Sequence, residues 1–373
     1  MRAAPKWVDA LIALSLAVGC HGPSAKLSPE PQVQRPALAP SLSASAHDFI
    51  VDHRFASGET VKGLRLHYVT LGEPHRGGSG KIDNAVLMLH WTSASGAALQ
   101  TAEFQSALYA AGRPLDSSKY FLIFVDNLGH GGSSKPSDGL HARFPRYGYR
   151  DLVELQHQLV QRELGIERLH AIVGLSMGGM HAWMWAESYP NEVEGILPVV
   201  SLPTRIAGRN LLWRRIVSRA IRSDPEWLGG EYPKPPRGWL EAFPLFRMML
   251  DGVPHLQATI PDRGTADGFV QSAVEQARSM DANDVLYSLE SSEDYDPEAA
   301  LGSVRARTYA LNFGDDEFNP VELGVIERVQ PRIPQARFVV QPGTPSSFGH
   351  LTQAHPSLWA DHVATFLREL EAR

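Results

Sequence analysis

The feature that most restricts how this 373-residue chain can fold is Gly-Leu-Ser-Met-Gly-Gly at 174–179. An apolar run (LHAIV, 169–173) precedes it, and a helix-forming stretch (179–189) follows. That context places Ser176 on a tight strand-to-helix turn. The small flanking glycines tolerate a strained serine backbone and leave its Oγ exposed. The helix N-terminus just beyond the turn favours negative charge developing on a reacting oxygen. A glycine-rich turn used only for packing is the alternative, and the strand and helix on either side argue against it.

The rest of the chain alternates in the same way. Strand candidates are 64–71, 85–89, 120–125, 169–173, 195–200, 308–311 and 337–340, with helical patterns between them, such as 151–164 and 179–189. Several strands are continuous apolar runs, which marks strands buried on both faces. The expected fold class is α/β, with a mostly parallel central sheet and helices on both faces. One interval, 203–300, reads as helical throughout and is expected to be a lid inserted into a core of 47–202 and 301–373. In it, Leu212, Ile216 and Ala220, with Trp213 and Val217, recur at helical spacing. Arg214, Arg215, Arg219 and Arg222 lie on the opposite face, expected to be solvated, with contact to anionic lipid as the alternative.

A serine hydroxyl needs a base and an orienting acid to act as a nucleophile. Both are available in the order Ser, Asp, His. Asp316 follows the strand candidate 308–311, and His350 follows 337–340, so both loops lie at C-terminal strand ends, where such a sheet gathers its site. Asp315 is a rival acid, His355 a rival base, and His130 reads as a structural turn residue. Backbone amides of Met177 and Thr92 are the expected oxyanion donors. There is no metal-binding motif and no phosphate-binding glycine loop, so neither metal nor cofactor is expected.

Hydrophobic residues make up 43% of the chain and charged residues 20%, with a net charge of −6. This argues against nucleic acid as a partner, since phosphates demand clustered Lys and Arg. The single cysteine, Cys20, ends a segment with Arg2 and Lys6 at its start and a short apolar run (ALIALSLAVG, 10–19). Ala17-Val18-Gly19-Cys20 resembles the lipobox of bacterial lipoproteins. The expectation is a signal peptide at 1–19, lipidation at Cys20 and a Pro/Ser/Ala-rich tether at 20–46. The protein would then be exported and membrane-anchored, with a conventional cleaved signal or a cytoplasmic location as alternatives.

From about His47 onward the sequence resembles the homoserine O-acetyltransferase-like branch of the α/β-hydrolase superfamily. The resemblance rests on Phe144-Pro145 through Asp151-Leu152-Val153, Leu164-Gly165-Ile166 and Ser176-Met177-Gly178-Gly179-Met180. Inside the lid it rests on Asp224-Pro225-Glu226-Trp227-Leu228-Gly229-Gly230-Glu231-Tyr232 and Met280-Asp281-Ala282-Asn283-Asp284. It implies the α/β-hydrolase fold, a helical lid over a tunnel to the serine, and acyl transfer through an acyl-serine. The chain also departs from that branch. The Asp that follows the branch's catalytic His is Leu351 here, and its lid Arg and Tyr fall on Phe243 and Leu250. An ammonium group would meet Leu where it needs a carboxylate, and an unpaired buried ion costs several kcal/mol, on the order of 3–5. The pocket is therefore expected to be apolar where an amino acid would need charge, and the activity to be carboxylic-ester hydrolysis on a small-molecule acyl ester. O-acyl transfer is the alternative enzyme reading, and a non-catalytic binding protein the third. A homodimer is possible on this reading.

Overall fold

In the computed structural model, residues 44–372 are described. The expected signal segment, Cys20 and most of the tether lie outside them. Eight strands form one sheet: β1 (Ala44–Arg54), β2 (Thr60–Leu71), β3 (Ala85–Leu89), β4 (Phe121–Val125), β5 (Leu169–Leu175), β6 (Val193–Val199), β7 (Arg307–Phe313) and β8 (Ala336–Gln341). Their order is β1-β2-β4-β3-β5-β6-β7-β8. β1 and β2 pair antiparallel, β2 pairs antiparallel with β4, and every other pairing is parallel. All seven strand candidates are strands, with ends displaced by up to a few residues.

β1 was not expected, and it corrects the tether's boundary, because Ala44–Ala46 already pair with Val69–Leu71. The first five residues of β1 are exposed, and burial alternates only from Phe49. An edge strand whose outer half faces solvent carries no apolar signal that composition can detect.

The principal helices are α1 (Tyr149–Gln158), α2 (Met177–Ser188), α3 (Gly208–Arg222), α4 (Arg237–Met249), α5 (Val253–Thr259), α6 (Arg263–Arg278), α7 (Ala282–Glu290) and α8 (Ala360–Glu371). Successive side chains of β3 point to opposite faces. Leu87 and Leu89 pack into one core layer with Leu152 of α1 and Trp183 of α2. Val86 and Met88 pack into the other with Phe366 and Leu370 of α8. β3, β4 and most of β5 are therefore buried on both sides.

Residues 203–300 contain helices and no strand. They have a core of their own, built on Trp213, Ile221, Trp239, Phe243, Ala277 and Leu286. The buried side of α3 differs from the expected stripe. Trp213, Arg214, Val217, Ser218 and Ile221 are buried, whereas Leu212 and Ile216 are 61% and 53% exposed. Apolar residues at 211–213, 216–217 and 220–221 cover so wide an arc that periodicity alone does not choose its edge. The stacking of Trp213 on Phe246 (ring centroids 4.1 Å apart) turns Arg214 inward.

Candidate active site

Ser176 joins β5 to α2 with φ 51° and ψ −108°, a backbone that L-residues rarely adopt. Its amide donates to the Val199 carbonyl (2.9 Å), and the Gly178 amide donates to the His90 carbonyl (3.1 Å). The turn is thereby pinned between β3 and β6. A Cβ at Gly178 would collide with the Leu89 carbonyl, and one at Gly174 with the Gly178 carbonyl. Space, more than backbone freedom, makes both glycines necessary.

The loops after β7 and β8 bring the other two groups to this turn. His350 Nε2 lies 2.8 Å from Ser176 Oγ, and its Nδ1 lies 2.9 Å from Asp316 Oδ2. An ionised carboxylate only accepts, so Nδ1 carries the proton and Nε2 is left to accept from the serine hydroxyl. Asp316 also accepts from the Phe318 amide at Oδ1 (2.8 Å) and from Asn319 Nδ2 at Oδ2 (2.8 Å). Asn319 Nδ2 donates in addition to the Val200 carbonyl (3.0 Å), which ties the acid loop to the end of β6. All three groups are buried, and the Phe318 ring meets the His350 ring edge-on with centroids 4.9 Å apart.

The rivals sit elsewhere. Asp315 Oδ2 accepts from Ser347 Oγ (2.6 Å) and from the Gly349 amide (3.0 Å), so it braces the loop that carries His350. His355 pairs with Glu103 at 3.3 Å and stacks on Phe348. His130 is buried between the Leu128 carbonyl and Ser288 Oγ, and burial together with the neighbouring His90 pushes it down to about 3.

Met177 follows the serine directly and Thr92 lines the same cavity, and neither backbone amide has a protein acceptor among the described residues. The loop bearing Thr92 is held by His90, whose Nε2 accepts from the amide and side chain of Asn127, both at 3.2 Å. The His90 Nδ1–H is then free to donate to the Trp91 carbonyl (2.8 Å). Burial pushes His90 down to about 4, so it is neutral near pH 7 and this arrangement persists. The Thr92 hydroxyl is buried without a partner.

The site opens into a cavity of about 310 Å³ whose wall includes Ser176, Thr92, Trp213, Phe246, His350 and Gln353. Phe243, Leu250 and Leu351, the three expected departures, line it as well. Arg214 and Arg247 also line the cavity, two charged residues that the expectation of apolar side chains at those three positions did not include. The sequence placed Arg214 on the solvent side and gave no sign of Arg247. Phe243, Arg247 and Leu250, at i, i+4 and i+7, are neighbours on one helical face, and that spacing was the available clue. Asn319 was missed too; a polar side chain three residues after an acid in a loop is too common a pattern to single out.

The family described as alpha/beta hydrolase fold matches residues 98–348. The chain belongs to the α/β-hydrolase family. Within this family it falls in the homoserine O-acyltransferase-like branch. It is 30% identical over 321 residues to a probable acyltransferase of Methanothermobacter thermautotrophicus, covering 85% of this chain and 96% of the relative. It is 33% identical to a homoserine O-succinyltransferase of Aromatoleum aromaticum, covering 76% and 77%. Its fold matches that of an acetylester hydrolase from Corynebacterium glutamicum with a TM-score of 0.74 at 22% identity, covering 88% and 95%. This α/β-hydrolase is an enzyme; its relatives include transferases, and esterases share its fold. No helix among the described residues is long and apolar enough to cross a membrane.

Proposed function

We propose that the chain is a serine hydrolase that cleaves carboxylic esters through an acyl-serine. Ser176 is the nucleophile, His350 the base and Asp316 the orienting acid. The observation that carries this reading is the single imidazole bridging Ser176 Oγ at 2.8 Å and Asp316 Oδ2 at 2.9 Å. His350 Nε2 takes the serine proton as Oγ adds to the ester carbonyl, and the amides of Met177 and Thr92 receive the oxyanion. The ester C–O bond then breaks, and the alcohol leaves with the proton held by His350. Water, deprotonated by the same nitrogen, attacks the acyl-serine and releases the carboxylic acid and the free enzyme.

Water is favoured as acceptor because Leu351, Phe243 and Leu250 face the cavity where the branch carries polar residues. O-acyl transfer is the second reading, and the names of the relatives favour it: there an acceptor hydroxyl takes the place of water in the last step. One assay separates the two. Acyl release from a p-nitrophenyl ester is followed with and without homoserine, and a large acceleration by homoserine would reverse the order. A fluorophosphonate probe should label the wild type and not Ser176→Ala; equal labelling would end the hydrolase reading.

The reading of Cys20 as a lipid anchor rests on residues outside 44–372. Mass spectrometry of the membrane fraction tests it, and an unmodified thiol there would remove it.

A further inference from the structure

Gln353 lines the cavity that holds Ser176 and His350, and the proposed cycle leaves its side chain idle. It is 2% exposed, yet its Oε1 is buried without a hydrogen-bond partner among the described residues. A buried amide oxygen in that state is destabilising, and the great majority of such groups find a partner.

The local backbone sets this amide beside the base. Gly349–Ala354 is a 3-10 helix, in which side chains three apart eclipse one another. Gln353 therefore stands on the same face of the turn as His350. The turn is held at several points. The Phe348 amide donates to Thr352 Oγ1 (2.9 Å), Trp359 Nε1 donates to the Thr352 carbonyl (3.2 Å), and the Leu351 amide donates to the Leu250 carbonyl (3.0 Å). All of these bonds leave Gln353 Oε1 free. The imidazole is fixed too, with Nδ1 on Asp316 and Nε2 directed at Ser176 Oγ.

Thr92 Oγ1 is also a buried side-chain oxygen of the wall without a partner. A hydroxyl can donate, and Thr92 belongs to the loop whose amide is assigned to the oxyanion. An amide oxygen only accepts, so Gln353 Oε1 needs a donor that arrives with the reaction. The cycle brings one next to His350 Nε2, namely the nucleophile that attacks the acyl-serine. Water carries two protons, one for Nε2 and a second for Gln353 Oε1. An alcohol carries one, which Nε2 takes, and its carbon substituent would face the unpaired oxygen.

We infer that Gln353 Oε1 holds the water that cleaves the acyl-serine, and so selects water over an alcohol as acyl acceptor. The inference rests on the serine-hydrolase reading and deepens it. Water gives one proton to His350 Nε2 as its oxygen adds to the acyl carbon, while its other O–H stays bonded to Gln353. The bond from the acyl carbon to Ser176 Oγ then breaks, the proton passes from Nε2 to Oγ, and the carboxylic acid leaves.

The test follows how the acetyl-enzyme formed from 4-nitrophenyl acetate divides between water and added methanol, with acetate and methyl acetate counted by NMR. In the wild type, methanol should capture less of the acetyl group than water does, mole for mole. Gln353→Met keeps the bulk and removes the acceptor. It should slow single-turnover deacylation in water about tenfold, the worth of one hydrogen bond, and raise the ratio of methyl acetate to acetate by a similar factor. The rate of the 4-nitrophenol burst, which reports acylation, should be little changed. Gln353→Glu retains an acceptor oxygen and should bring the ratio back towards the wild-type value. An unchanged ratio in Gln353→Met, or an equal fall in acylation and deacylation, overturns the inference. Should Gln353→Met fail to fold, the wild type decides: a preference for water supports the inference, and a preference for methanol overturns it. The parent reading fails differently, with no burst of 4-nitrophenol and no fluorophosphonate label, and the role of Gln353 then falls with it.

Discussion

The amide of Leu351 donates to the carbonyl of Leu250 at 3.0 Å, which joins the residue after His350 to the C-terminal end of α4. Two positions at which the sequence departs from its branch thus touch each other, and both face the cavity. The imidazole loop and the helical insertion are fastened together at the point where substrate identity would be read. A change at Leu351 is therefore felt by the lid as well as by the base.

The two adjacent acids should separate by magnitude. Asp316→Asn leaves an amide where the imidazole needs a carboxylate, and kcat should fall by about 10⁴. Asp315→Asn disturbs only the brace to Ser347 and Gly349, and kcat should fall about tenfold. Steady-state hydrolysis of a p-nitrophenyl ester measures both; a larger loss at Asp315 would exchange their roles.

Leu351→Asp places a carboxylate beside the base, where an ammonium-bearing acceptor needs one. Homoserine should then accelerate acyl release from a p-nitrophenyl ester, with at least a threefold higher ratio of transfer to hydrolysis than in the wild type. The products are counted by mass spectrometry. An unchanged ratio would show that Leu351 is not what excludes such an acceptor.

Gly178→Ala drives a methyl group into the carbonyl of Leu89 at the end of β3. Overpacking of this kind costs about 1–3 kcal/mol, and relief by backbone movement would displace the neighbouring Met177 amide. Thermal melting should show a loss of several degrees, and kcat should fall even in the protein that remains folded. Wild-type kcat at a lowered Tm would exclude Met177 from oxyanion binding.

Glu187 offers a pH-dependent test. Burial raises its carboxyl to about 7, with Asp296 adding to the shift and Arg150 opposing it. Its Oε2 has no hydrogen-bond partner. Between pH 4.5 and 7 the folded state holds this proton more tightly than the unfolded chain, so its contribution to stability declines as the pH rises through that window. Glu187→Gln removes the charge, and the variant should melt higher than wild type at pH 8, with the advantage gone by pH 4.5. Parallel melting curves across that range would contradict the assignment.

Seven of the eight strands and the serine turn could be read from residues alone, because apolar runs and small flanking residues act locally. Ser176 and His350 were legible for the same reason: each follows a strand whose C-terminal end the sheet directs to one edge. Asp315 and Asp316 follow the same strand, and spacing alone does not rank them. Only the folded loop, with Asn319 and the Phe318 amide turned onto one carboxylate, decides between them. Arg214 and Arg247 were hidden more deeply. The direction of a helical side chain depends on what packs against its helix, and here stacked aromatic rings from two helices set which face of α3 turns inward. Local sequence therefore determined the serine turn and the strands beneath it, whereas the charge of the cavity was decided by long-range packing.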